Sequence, residues 1–223
     1  MATARGMDWE HAVGALGLGL LIYGSYQGLF VLPPDRFMGD VMRILYVHVP
    51  AAWSTLLCFT LAFFCAIGWL WKGTWRWDVL GEAATHVGLV FGVLLTILGS
   101  IWARPTWGVW WDWDPRLTTV AIMLVSFGAV TALRSFVDDP ERRATWSAIA
   151  AIVSYVDVPV VYFSVKWWRS LHQMQSSPST VDPDMVTVLR INAFAFLFLA
   201  IWFIARHYRL IHIRRDAELG ELS

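Results

Sequence analysis

The sequence has little charge, few cysteines and no motif for covalent haem attachment. Asp, Glu, Lys and Arg make up 15% of its 223 residues and the formal net charge is zero. The sequence therefore lacks the excess of basic residues that is typical of nucleic-acid-binding proteins. The two cysteines, Cys58 and Cys65, lie seven residues apart within one apolar run. A disulfide cannot reach across two helical turns, so we expect both to be buried packing residues. The absence of Cys-x-x-Cys-His excludes attachment of a c-type haem to this chain itself.

Apolar and aromatic residues dominate what is present. Hydrophobic residues make up 57% of the chain, which includes 15 tryptophans, and a soluble domain would not carry that composition. The first apolar run lacks a basic segment and a cleavage site before it, so we expect it to stay as a helix. We predict an all-α polytopic membrane protein, a single integral membrane domain over residues 1–223 with six transmembrane helices. The helices are predicted at about Ala12–Leu32, Tyr46–Trp71, Val79–Ala103, Leu117–Leu133, Ala144–Val165 and Met185–Ala205.

A tryptophan-rich loop at about residues 104–118 separates the third and fourth predicted helices. Gly108 and Pro115 shape its backbone, and its tryptophans alternate with Asp112, Asp114 and Arg116. An interfacial aromatic belt is the ordinary explanation for membrane tryptophans, but a belt scatters them over many helix ends. Their concentration in one loop favours a platform for a flat ligand. The platform residues are Trp107, Trp110, Trp111 and Trp113.

The basic residues indicate the orientation of the chain in the membrane. With a cytoplasmic N-terminus, ten lysines and arginines fall on the inner side and seven on the outer side, which favours N-in and C-in. The tryptophan loop is then external. Seven basic residues on the disfavoured side need a local reason, and an anionic ligand held there would supply it.

Two of the six histidines fall on the same side as the tryptophan loop. His48 is at the outer end of the second helix, and His172 is in the connection before the sixth. Two imidazoles beside a flat aromatic surface suit a bis-histidine haem, with Arg43 and Arg116 chosen to bind the propionates. Each histidine alone is more often an ordinary interfacial side chain.

Several acidic and histidine residues have structural interpretations. We expect Asp112 and Asp114 to position the loop through arginine pairs, because carboxylates facing propionates would repel them. His86 follows Glu82 by one helical turn, as in a packed polar pair. Asp157 is an acid within an apolar run, and both a functional role and a structural hydrogen bond remain open for it.

Three motifs resemble the WWD family of haem-handling membrane proteins used in cytochrome c assembly, and together they are most similar to its CcmC members. They are Trp107-Gly-Val-Trp-Trp-Asp-Trp-Asp-Pro-Arg-Leu-Thr118, Tyr46-Val-His-Val-Pro-Ala-Ala-Trp53 and Ser164-Val-Lys-Trp-Trp-Arg-Ser-Leu-His-Gln173. The resemblance implies that His48 and His172 are the external axial ligands of haem and that the tryptophan loop holds the porphyrin. The larger CcmF and CcsA relatives share the tryptophan motif, but this chain is too short for CcmF.

The resemblance also implies a role and a set of partners. Such proteins work with the ATP-binding-cassette pair CcmA and CcmB and with the small helix protein CcmD, and they pass haem to the periplasmic chaperone CcmE. We therefore expect a protein of the bacterial inner membrane that carries haem b as cargo at its periplasmic face. We expect it to bind and transfer haem rather than to act as an enzyme.

Three other functions remain as alternatives. A membrane b-type cytochrome could hold haem between inner histidines such as His86 and His207. A haem lyase of the WWD family would attach haem to an apocytochrome directly, although the short chain disfavours it. A haem-exporting channel is disfavoured because no polar lane of charges runs through the predicted helices.

Overall fold

The described residues, 8–172 and 183–221 of a computed structural model, form helices and no β-strand, which confirms the all-α prediction. Within these residues, six helical stretches are long and apolar enough to cross a membrane, as predicted. The helices are α1 (Asp8–Tyr26), α2 (Leu45–Lys72), α3 (Trp75–Trp107), α4 (Pro115–Arg134), α5 (Pro140–Tyr155), α6 (Asp157–Trp167) and α7 (Pro183–Glu221). A π-helical turn, Gln27–Val31, extends α1, and a 3₁₀ turn, Asp40–Ile44, leads into α2.

The fifth predicted helix is two helices, α5 and α6, separated at Val156. Pro159 lies in the first turn of α6, where it has no N–H to donate to the carbonyl of Tyr155, and its ring would clash with that carbonyl in a continuous helix. The break gives the two helices different neighbours. α5 packs on α2 and α4, whereas α6 packs mainly on α4 and touches α2 only sparsely.

Helix α7 continues well past Ala205, where the sequence predicted its end. The extension is charged, and its arginines reach acids on α3. Arg214 pairs with Glu82 at 2.5 Å, and Arg215 pairs with Asp78 at 3.0 Å. The extension is therefore part of the bundle.

The same two acids also bind the last turn of α4. Both Asp78 and Glu82 are buried, and the guanidinium of Arg134 lies 2.9 Å from the first and 2.6 Å from the second. Buried charges persist when they are paired, and breaking one partner of such a pair is costly. We call this network of Asp78, Glu82, Arg134, Arg214 and Arg215 the ion-pair cluster. It joins α3, α4 and α7 at the end where α3 begins, far from the tryptophan loop where α3 ends.

A proline inside α2 creates a second link to α7. Pro50 has no N–H, so the carbonyl of Tyr46, one turn earlier, lacks its usual helical donor. The side-chain amide of buried Asn192, on α7, donates to that carbonyl at 2.9 Å. Gly24 on α1 leaves the space for this amide, because a Cβ there would lie 2.1 Å from the Asn192 oxygen. The carbonyl freed by Pro50 thus holds the start of α2 to α7.

The interior between the helices is apolar and aromatic. Phe59 on α2 stacks on Phe127 of α4 with ring centroids 3.8 Å apart. Cys58 and Cys65 are buried and free, which confirms that they are packing residues.

Candidate ligand-binding site

The tryptophan loop is tighter in the structure than in the prediction. α3 continues through Trp107 and ends where Gly108 adopts a left-handed conformation with φ 82°. α4 begins at Pro115, whose fixed φ suits the first helical position, with Asp114 as the N-cap. The loop therefore covers residues 108–114 rather than 104–118. A shorter loop holds its tryptophans close to both helix ends.

Asp114 ties the loop to the segment that carries His172. Its buried carboxylate accepts hydrogen bonds from the backbone N–H of Arg116 at 2.9 Å, the hydroxyl of Ser170 at 3.0 Å and the backbone N–H of Leu171 at 2.7 Å. Asp114 therefore positions the loop, as expected. Its partners here are two backbone amides and a hydroxyl, where the sequence suggested arginine side chains.

His172 lies against the end of α3 as a result. Its ring meets Trp107 edge-on, with centroids 6.2 Å apart. Its backbone N–H donates to the Ser170 hydroxyl at 3.0 Å, so the same serine connects the histidine to Asp114. His172 is thus positioned by local hydrogen bonds although it lies outside any helix.

His48 occupies a buried position near the start of α2. Its ring meets Trp102 of α3 edge-on at 5.4 Å, and Gly99 leaves room for it, since a Cβ there would lie 3.1 Å from the histidine Cε1. Its Nδ1 is buried and has no hydrogen-bond partner among the described residues. Buried polar atoms in proteins are nearly always satisfied. An unpaired imidazole nitrogen at a cavity wall is a candidate ligand atom.

Both histidines line one open cavity of about 990 Å³, and both also line an adjoining cavity of about 670 Å³. Trp110, Trp111 and Arg116 contribute to the larger cavity, and Trp107 to the smaller one. We call the two together the histidine cavity.

Arg116 is the arginine of this cavity. It lies in the first turn of α4, and its Nη1 is buried without a hydrogen-bond partner in the part of the chain that the structure describes. A buried cation of this kind fits a carboxylate of a bound ligand. The donor set therefore suits a planar, anionic, metal-containing ligand: imidazole nitrogens for the metal, aromatic faces for the plane and a guanidinium for the acid.

Two predicted site residues lie outside the cavity walls. Arg43 contacts Asp40 at 2.7 Å and donates to the carbonyls of Gly28 and Leu32, so it secures the turn after α1. Trp113 is 76% exposed and meets the ring of Trp111 edge-on at 5.8 Å. Neither side chain is among those that line the two volumes.

Four further residues line the histidine cavity that were not predicted as site residues. Gly99, Trp102, Ala103 and Thr106 line the cavity from one face of α3. Their spacing of three and four residues is the helical repeat, so it was the available signal. The sequence predicted the first three only as part of the third membrane helix, and Thr106 as part of the tryptophan loop.

The inner histidine pair has a different geometry. His86 Nδ1 and His207 Nε2 lie 2.7 Å apart, which is a direct hydrogen bond. A metal held between two imidazoles separates their nitrogens by about 4 Å, twice a metal–nitrogen bond of about 2 Å. This arrangement leaves no place for haem iron between them, so it does not support the b-type cytochrome interpretation.

Comparison with known proteins assigns the family. The model of the family described as CcmC, heme exporter protein C, matches residues 3–222. Heme exporter protein C of Bradyrhizobium diazoefficiens is 35% identical over 204 residues, covering 88% of this chain and 75% of that protein. Heme exporter protein C of Escherichia coli K12 is 35% identical over 186 residues, covering 81% of this chain and 74% of that protein. A putative cytochrome c biosynthesis ccmC-like mitochondrial protein of Marchantia polymorpha is 29% identical over 190 residues, covering 83% and 81%. With six helices among its described residues long and apolar enough to span a membrane, and a family match over residues 3–222, this chain is a multi-pass membrane protein that belongs to the heme exporter protein C family.

Proposed function

We propose that this protein binds haem b in the histidine cavity, with His48 and His172 as axial ligands, and delivers it to the chaperone CcmE during assembly of c-type cytochromes. The observation that carries the proposal is the convergence of the two histidines on one cavity from distant parts of the chain. Membership of a family named for heme export supports a role in haem handling.

The two proposed ligands differ in how firmly they are held. His48 is 6% exposed and belongs to a long helix packed on α3, whereas His172 lies on a non-helical segment held by Asp114. A carrier must bind its cargo and then give it up. His48 would hold the iron through transfer, and His172, whose segment depends on a few hydrogen bonds, would be the ligand that is exchanged first.

The remaining site residues divide by position. Arg116 would bind a propionate, and Trp110 and Trp111 would cover the porphyrin, since all three line the cavity. Trp107 would support the ring of His172. Arg43 would not bind a propionate, because its guanidinium already binds Asp40 and two carbonyls.

The exposed side of the loop suits transfer to a partner. Trp110 is 60% exposed and Trp113 is 76% exposed, so one edge of the platform faces away from the protein. CcmE would approach this edge, and CcmA, CcmB and CcmD would complete the complex. We place this face on the periplasmic side of the bacterial inner membrane, with both termini cytoplasmic, in line with the distribution of basic residues.

The protein's contribution is then positioning rather than covalent chemistry. When bound, haem supplies the iron whose axial positions are exchanged between donor and acceptor imidazoles. The chain would orient the porphyrin, neutralise a propionate and present the two imidazoles to the iron.

The test is the absorption spectrum of purified protein after haem addition. We expect the unaltered protein to give a low-spin bis-histidine spectrum, and His48→Ala or His172→Ala to give a single-histidine species. His212→Ala is the matched control, since His212 pairs with Asp216 on the α7 extension. A bis-histidine spectrum in the double variant His48→Ala, His172→Ala would refute the ligand assignment. Haem transfer to purified CcmE then tests delivery separately from binding.

A further inference from the structure

A second apolar opening lies beside the histidine cavity, on the outer surface of the helix bundle. It is an open groove of about 920 Å³ between α2 and α6. We call it the lateral groove. Its lining residues are Trp53, Leu56, Leu57, Thr60, Tyr155, Val158, Pro159, Tyr162 and Phe163.

The helix break at Val156 accounts for this groove. α6 turns towards α4 after the break and makes only sparse contact with α2, although α5 packs closely on α2. The residues at positions 53, 56, 57 and 60 repeat at helical spacing, so they form one face of α2 that α6 leaves uncovered. A hydrogen-bonding pair, Thr60 and Tyr155, with oxygens 3.2 Å apart, lies within the groove lining.

The lateral groove and the histidine cavity share a wall. Trp53, Leu56 and Tyr162 line both volumes. This wall consists of side chains, and Trp53 is 38% exposed and Tyr162 43% exposed. Rotation of exposed side chains is fast and needs no change in the helix backbone. Rotation of these side chains would join the lateral groove to the histidine cavity while both helices stay in place.

The chemistry of the lining suits a large apolar molecule. Apart from the Thr60 and Tyr155 hydroxyls and polar tips of Trp53 and Tyr162, the groove presents hydrocarbon and aromatic surface. Haem is mainly apolar, and moving apolar surface through water costs about 25 cal/mol per Å² exposed. A route through the bilayer avoids that cost. Arg116, in the cavity beyond the shared wall, offers the charge that the propionates need on arrival.

We propose that the lateral groove is the entry portal through which haem passes from the bilayer into the histidine cavity, between α2 and α6. The proposal rests on the proposed haem function. The tryptophan loop, at the cavity's exposed edge, then serves as the exit. Entry and exit are on different sides of the bound haem, so a loading protein and an accepting chaperone need not compete for one surface.

The test blocks the groove after the protein has folded. In a background with Cys58→Ala and Cys65→Ala, Leu57→Cys places one thiol in the groove, and Leu57 does not line the histidine cavity. Leu70→Cys is the matched control, since both leucines are on α2 and are 56% and 46% exposed. Each variant is reacted with a bulky maleimide, placed in lipid nanodiscs and mixed with vesicles that contain haem. The rate of appearance of the bis-histidine spectrum is then measured.

We expect the Leu57→Cys adduct to load haem at least about tenfold more slowly than the Leu70→Cys adduct, a barrier difference of about 1.4 kcal/mol. The final spectra should be identical, because the cavity itself is unchanged. Equal loading rates would overturn the portal and leave haem binding intact. Equal rates are the result expected if only a lipid chain occupies the groove, or if haem enters from the aqueous edge. Absence of a bis-histidine spectrum in the unlabelled protein would overturn the haem proposal and the portal together.

Discussion

Replacing Asp114 by alanine should weaken haem binding without removing either proposed ligand. The carboxylate accepts three hydrogen bonds, one from the first turn of α4 and two from the segment at Ser170 and Leu171. Without it, the His172 segment loses its attachment to the tryptophan loop. The expected product is a protein in which His48 is placed as before and His172 samples many positions.

The size of the effect follows from these bonds. A hydrogen bond to a charged acceptor contributes about 1.5–3 kcal/mol, so the two bonds to the segment together contribute roughly 3–6 kcal/mol. The ring contact of His172 with Trp107 would remain, which favours the lower figure. A loss of about 3 kcal/mol corresponds to haem binding weakened by about 100-fold. The alanine also removes the N-cap of α4, at about 1 kcal/mol.

Haem titration followed by absorption measures both affinity and ligation. Asp114→Ser is the informative companion, because serine also caps a helix but cannot provide a charged acceptor to Leu171. It should keep the thermal stability of the parent and still lose bis-histidine ligation. Asp112→Ala, at an exposed position of the same loop, is the control. If Asp114→Ala bound haem within about threefold of the parent with a bis-histidine spectrum, Asp114 would not position His172.

Three further predictions concern residues away from the loop. Asn192→Ala should lower the free energy of unfolding by about 1–3 kcal/mol in a denaturation assay, because the Tyr46 carbonyl loses its donor. Adding Pro50→Ala to this variant should recover part of the lost stability, since residue 50 then offers an N–H to the same carbonyl. No recovery would show that another contact of Asn192 is responsible. His86→Leu should leave the haem spectrum unchanged, whereas a lost band would make the inner histidines ligands. Asp78→Asn should destabilise the protein by about 3–5 kcal/mol in thermal melts, because it leaves buried guanidinium groups under-paired, while haem affinity at the far end stays the same.

The membrane helices were predictable because a spanning helix must satisfy its backbone within an apolar run of about 20 residues. The division of the fifth helix was harder to predict, although Pro159 within the apolar run is a residue that often breaks a helix. The helical extension after Ala205 could not be read from the local sequence. Its Arg214 and Arg215 pair with Glu82 and Asp78, which lie more than a hundred residues earlier in the chain.

The site shows the same limit. The sequence places His48 and His172 at one side of the membrane, and the structure brings both to one cavity. The sequence could not show that Arg43 donates to neighbouring carbonyls, since those contacts depend on how the turn after α1 folds back. Nor could it identify Asp114 as a link between two segments, because its partners are backbone amides, which every residue type offers.

The ion-pair cluster bears on the order in which the chain is made. α3 and α4 are synthesised well before α7, so Asp78 and Glu82 first meet Arg134 and receive Arg214 and Arg215 only when the last helix has emerged. Until then, two acids within an apolar bundle share fewer cations than in the folded protein, and water or lipid headgroups must solvate them. A nascent chain stopped at Ala205 would remain in that state. Arrival of the C-terminal arginines is therefore a late step of biogenesis that joins the last-made helix to α3 and α4 electrostatically.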